Sequence, residues 1–135
     1  MISFLRYLWV SPASLVGIVA ALPWMLTGAR ARAVQGVLEI GGGAMGRALR
    51  RFRFGAITLG HIVIGLDAAC LDASRVHEHV HVRQYERWGV LFFPLYAGAS
   101  LVAWLRGGDF YRDNRFEREA YGLTPRRADG STRNG

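Results

Sequence analysis

The chain has 135 residues, a formal net charge of +7 and one cysteine, a length that predicts one small domain and a thiol count that excludes an intrachain disulfide. All 17 basic residues are arginines, the usage of a GC-rich bacterial genome as much as of an anion binder. No RNA- or DNA-reading motif accompanies them, so nucleic acid is not an expected partner.

From Tyr7 to Ala29 the chain runs 23 positions without a charge, reading "YLWVSPASLVGIVAALPWMLTGA". As a helix it is long enough for a bilayer core of about 30 Å, and Trp9 and Trp24 suit the two interfaces. Residues 1–30 are therefore expected to form an N-terminal transmembrane anchor. A signal peptide cleaved at Ala29-Arg30-Ala31 is the competing reading. Arg30, Arg32, Arg47, Arg50, Arg51 and Arg53 follow the run, against Arg6 alone before it. By the positive-inside rule the remainder of the chain is expected on the cytoplasmic side of a plasma membrane, with membrane lipid as a partner.

A small sheet is expected between about residues 34 and 64. Within it, "GGGAMG" at 41–46 fits the dinucleotide-binding pattern G-x-G-x-x-G, and Asp67 falls about 20 residues on. The space before Phe54 holds only about two helical turns and no further βαβ unit follows, so the glycines read as a tight connection between strands. Residues 54–65, "FGAITLGHIVIG", read as one strand with Ile57, Leu59, His61 and Val63 on one face. His61 then either faces a cleft, where it can stabilise an oxyanion, or is a strand histidine with an ordinary hydrogen bond.

Residues 75–89, "RVHEHVHVRQYERWG", hold three of the four histidines. Apolar positions at helical spacing predict a helix with Ser74 as N-cap and Gly89 as its stop. His77 and His81, four apart, share one face with Glu78 beside them, the HExxH arrangement in which two imidazoles hold Zn²⁺ and the glutamate takes a proton from activated water. His79 points elsewhere. Gln84 and Tyr85 share the histidine face and either orient a ligand or substrate, or pack as ordinary helix residues.

The run "GVLFFPLYAGASLVAWL" at 89–105 has 17 uncharged positions, the lower limit of a span. A full crossing would separate His81 from everything beyond Leu105. If one metal joins both sides, the run must pack on the domain or lie shallowly in the interface, bent at Pro94. After Asp113-Asn114, "RFEREAYG" opens a second helix bearing Glu117 and Glu119, whose side chains diverge by about 200° and cannot both reach one ion.

HExxH followed by "FEREAY", with 35 residues between His81 and Glu117, resembles the gluzincin class of zinc metallopeptidases, above all its small membrane-associated kinds, over about residues 55–121. The resemblance implies His77, His81 and Glu117 as zinc ligands, Glu78 as general base, and an edge strand pairing with an extended peptide or protein substrate, cut as an endopeptidase. Glu117 is chosen because Glu117-Arg118-Glu119-Ala120 fits the family's E-x-x-A element. The family commonly has aspartate where this chain has Tyr121, and Tyr121, Tyr85 and Glu119 remain candidates for supporting roles. The expected architecture is α+β and minimally zincin-like: a membrane helix, a small sheet, the HExxH helix, an apolar helix and a glutamate-bearing helix. The catalytic domain would span 31–121 and a disordered tail 122–135. A silent membrane-anchored zinc binder and an arginine-rich membrane-surface adaptor are the alternatives.

Overall fold

A computed structural model of the protein describes residues 2–52 and 55–123. The elements in chain order are α1 (Ile2–Leu26), β1 (Ala29–Val34), β2 (Val37–Gly42), α2 (Gly43–Leu49), β3 (Ala56–Leu59), β4 (Ile62–Gly65), α3 (Ala68–Trp88), α4 (Phe92–Leu105) and α5 (Arg115–Leu123). The class is α+β, with a mixed four-stranded sheet in the order β1-β2-β4-β3. Its central pair, β2 and β4, is parallel, and the two outer pairs are antiparallel.

The sheet lies between two helices, because its alternating residues divide between two apolar clusters. Ile40, Ile62 and Ile64 meet Ala21 of α1 on one face. Val37 and Val63 meet Leu71 and Val82 of α3 on the other. Ile62, Val63 and Ile64 are all buried, as expected of a strand covered on both sides.

Several sequence expectations are corrected here. Residues 54–65 are not one strand: Gly60, at φ +68°, turns the chain back, so β3 and β4 form a hairpin and His61 sits in the turn. The glycines at 41–46 end β2 and open the short helix α2 rather than joining two strands directly. The HExxH helix begins at Ala68, capped by the Asp67 carboxylate, which accepts from the Cys70 amide at 2.8 Å. Ser74 lies inside it and donates to the Cys70 carbonyl. Gly89, at φ +59°, does stop the helix, and a 3-10 turn over Gly89–Leu91 redirects the chain where Pro94 was expected to bend it. Gly122 and Leu123, assigned by sequence to the tail, close α5. The remainder of that tail, and Phe54, lie outside the described residues.

Residue 30 does not divide two packing units. Val10, Ala13, Gly17 and Ala21 form a buried stripe three or four residues apart along α1, facing the domain. The Tyr7 hydroxyl donates to the Gly36 carbonyl in the β1–β2 turn, and the Ser14 hydroxyl accepts from the His61 amide in the β3–β4 turn. The opposite face, including Leu8, Leu15, Val19 and Leu22, is exposed. Two helical stretches, Ser3–Leu26 and Ala68–Leu105, are long and apolar enough to cross a membrane.

The sheet is fastened to α3 by a buried charge. Glu39, 1% exposed on β2, accepts from Arg75 Nε at 2.8 Å and Nη2 at 3.0 Å, and from Arg32 Nε at 3.0 Å. Both arginines also reach Asp72 Oδ1. Burial raises the Glu39 carboxyl, but the hydrogen bonds from Arg75 and Arg32 outweigh it and hold the group below its ordinary 4.5.

Two outcomes follow, both read by thermal unfolding in mild detergent. Glu39→Gln should cost about 3 kcal/mol at neutral pH, the low end for breaking a buried ion pair because the arginines are partly exposed. A depressed carboxyl stabilises the fold above its unfolded pKa and loses that contribution as pH falls, so the gap to wild type should narrow as pH falls below the ordinary 4.5. At Gly17, an added Cβ would stand 2.7 Å from both Ile62 Cβ and the Leu59 carbonyl oxygen. Gly17→Ala should thus destabilise by about 1–3 kcal/mol, whereas a freestanding helix would gain up to about 1 kcal/mol from the same change.

Candidate metal centre

Helix α3 presents two working faces. Leu71, Arg75, Glu78 and Val82 meet the sheet, while His77, His81 and Gln84 turn toward α4 and α5, so a 21-residue helix serves core and site together. Glu117, on the first turn of α5, comes back to the histidines. Its Oε2 lies 3.1 Å from His77 Nε2, its Oε1 3.2 Å from His81 Nε2, and the two Nε2 atoms are 3.2 Å apart. All three residues are buried.

The donor set fits a tetrahedral ion. Ligands about 2.0–2.1 Å from Zn²⁺ lie about 3.3–3.4 Å from one another, close to the separations here, and two imidazoles with one carboxylate leave a fourth position open. The Gln84 side chain fixes the tautomer of one ligand. Its amide nitrogen donates to the Phe116 carbonyl and to Glu119, so its oxygen faces His81 Nδ1 at 2.8 Å and requires the proton there. In the neutral ring His81 Nε2 would offer its lone pair to an ion; burial lowers the His81 pKa, but the Glu117 carboxylate raises it further, and the protonated ring donates from Nε2 to Glu117 Oε1. His77 Nδ1 is buried without a hydrogen-bond partner among the described residues, and the Tyr121 ring lies 4.4 Å from the His77 ring.

Glu117 is held from three sides. The Tyr96 hydroxyl donates to its Oε1 at 2.5 Å. Asn114 donates to the Tyr96 carbonyl and the Ser100 hydroxyl, and its own oxygen accepts from the Phe116 amide, which sets the start of α5. Burial raises the Glu117 carboxyl, yet its bonds to His77 and His81 bring it far below the usual carboxylate range.

A cleft of about 310 Å³ opens over the cluster, lined by β3, by Glu78 and by Phe92, Phe93 and Tyr96 of α4. Thr58 of β3 donates to Glu78 Oε2 at 2.7 Å. Glu78 Oε1 makes no hydrogen bond among the described residues.

The sequence candidates separate accordingly. His77, His81, Glu117 and Glu78 come together, and Gln84 supports His81. Glu119 is exposed and reaches the group only through Gln84. Tyr85 is 3% exposed and packs its ring on Phe92 and Phe93 at the cleft wall. Tyr121 hydrogen-bonds Tyr111 rather than the cluster. His61 does not face the cleft: it stacks on Tyr7 and pairs with Glu86 at 3.1 Å, because the hairpin turn carries it toward α1. His79 lies beside Glu39 on the sheet side, partly buried. Sequence reasoning missed Thr58, Tyr96 and Asn114. Only Asn114 left a signal, the Asp113-Asn114 pair that rightly marked the start of α5 but not the bonds from Asn114 to Tyr96 and Ser100.

Comparison with known proteins finds no match: no family model, no curated protein and no solved structure. The gluzincin resemblance therefore rests on the HExxH and E-x-x-A residues themselves.

Competition with a zinc chelator should separate the roles. Glu117→Ala should abolish stoichiometric zinc, Glu119→Ala should retain it, and Gln84→Ala should weaken it by about 10–100-fold. A greater loss for Glu119→Ala than for Glu117→Ala would reverse the ligand assignment.

Proposed function

We propose that the chain is a membrane-associated zinc-dependent endopeptidase. The observation that carries this reading is the convergence of His77, His81 and Glu117 within about 3.2 Å of one another beneath a cleft that also holds the Glu78 carboxylate. When bound, the ion supplies Lewis acidity, which polarises a carbonyl and acidifies water.

The chain's own residues do the rest. Glu78 accepts the proton of the attacking water and delivers it to the leaving amine. Thr58 ties down one Glu78 oxygen and leaves the other for that transfer. Strand β3 is one of the two edge strands of the sheet and the one that lines the cleft, so an extended peptide can add to it through main-chain hydrogen bonds. Phe92, Phe93 and Tyr96 give the opposite wall an apolar surface for substrate side chains.

Membrane attachment is supported by the exposed apolar faces of α1 and α4, among them Leu15, Val19, Leu22, Leu101, Trp104 and Leu105. The inner face of α1 is bound along the sheet. A simple crossing would draw Arg32, Glu39 and Arg75 into hydrocarbon, at about 2.5–3.5 kcal/mol for each arginine near the centre. The apolar faces therefore lie in the interface, and a net charge of +7 suits the anionic cytoplasmic leaflet.

Zinc-loaded protein should cleave members of a mixed peptide library in detergent micelles. Glu78→Gln should keep its zinc and lose about 10²–10⁴-fold in rate, with Thr58→Val intermediate. Undiminished cleavage by Glu78→Gln would remove the mechanism, and zinc-loaded wild type without cleavage would leave a silent metal binder.

A further inference from the structure

On the far side of α4 from the metal cleft lies a second concavity of about 730 Å³, between α4 and α5, within the roughly 300–1,000 Å³ of ligand pockets. One wall is apolar, formed by Leu95, Gly98 and Val102. Arg106 at the end of α4 and Arg115 and Arg118 of α5 also line it, all exposed and none paired with a carboxylate among the described residues, with Arg115 lying over the Phe116 ring at 5.4 Å. Asp113 is the single acid in the lining, and the turn engages it, since its Oδ2 accepts from the Asp109 amide at 2.7 Å. An apolar trough beside three unpaired guanidinium groups matches a ligand with a hydrocarbon chain and an anionic head.

We infer that this groove is a discrete site for one anionic phospholipid. Its acyl chain lies along Gly98 and Val102, and its phosphate is gripped by the arginine forks, whose planar donors match phosphate oxygens two at a time. Continuity of the groove with the exposed Leu101 and Leu105 of α4 favours a lipid drawn from the bilayer over free phosphate, which has no use for the apolar wall. The site shares no ligand or cleft residue with the metal centre, so it stands or falls independently of the peptidase reading.

Gly98 provides the sharpest probe. A Cβ added there meets nothing within 4 Å, so a side chain at this position starts from open space on the wall of the trough. Wild-type protein in neutral detergent, supplied with phosphatidylglycerol or phosphatidylcholine, is to be examined by native mass spectrometry. The expected result is one retained phosphatidylglycerol per chain and no retained phosphatidylcholine. Gly98→Phe should empty the site, and Arg115→Gln or Arg118→Gln should each weaken retention roughly fivefold. Unchanged circular dichroism and thermal unfolding of the same samples report an intact fold, and the arginine variants carry the test should Gly98→Phe fail to fold. Equal retention of both lipids, undiminished retention in a folded Gly98→Phe, or displacement of the lipid by inorganic phosphate alone would overturn the assignment.

Discussion

Burial of the Glu117 carboxylate against His77 and His81 is the constraint from which the rest of the architecture follows. At 3% exposure the charge has to be matched by nearby donors, and α3 and α4 provide them. Helix α5 buries only Phe116 and Ala120 as apolar side chains, too little to fix a nine-residue helix alone. Its register is instead set by polar contacts: Asn114 to Tyr96 and Ser100, Gln84 to the Phe116 carbonyl, and Tyr96 to Glu117. The same requirement brings the chain back to α3 after α4. That return sets the start of α5 beside the middle of α4, where Asn114 meets the Tyr96 carbonyl and the Ser100 hydroxyl.

The cluster is built on a helix locked from behind. Arg75 joins α3 to Glu39 in the second strand of the sheet, and Thr58 joins it to the edge strand through Glu78, so the histidine face and the Glu78 carboxylate are both referred to one sheet. A buried ion pair adds little net stability compared with apolar packing of equal size. Here it fixes the rotation of α3 about its axis, and that rotation decides whether His77 and His81 meet Glu117.

What the sequence made legible was whatever repeats with the period of one element. Four-residue spacing placed His77 and His81 on a common face, and the divergence of Glu117 from Glu119 showed that only one of them can join the histidines. The α+β class and the order of the helices were legible for the same reason. Contacts between elements left no such pattern. Thr58 looks like any strand threonine until the hairpin sets it against Glu78, and Tyr96 belongs to a run whose composition speaks only of lipid. Gly60 was absorbed into a strand because alternation of apolar residues continues through it, so the turn that sends His61 toward Tyr7 and Glu86 was not legible; of the two readings of His61, the one with an ordinary hydrogen bond is found. The stripe of Ala13, Gly17 and Ala21 was overlooked because an uncharged helix of that length is explained by a bilayer before packing is considered.

The central claim is that two imidazoles and one carboxylate hold a zinc ion, and X-ray absorption at the zinc edge on purified protein tests it most directly. The account predicts one zinc per chain with two imidazole nitrogens and oxygen ligands at about 2.0–2.1 Å, and loss of that spectrum in His81→Ala. A hydrated ion with no imidazole scattering, or the same spectrum in wild type and His81→Ala, would contradict it.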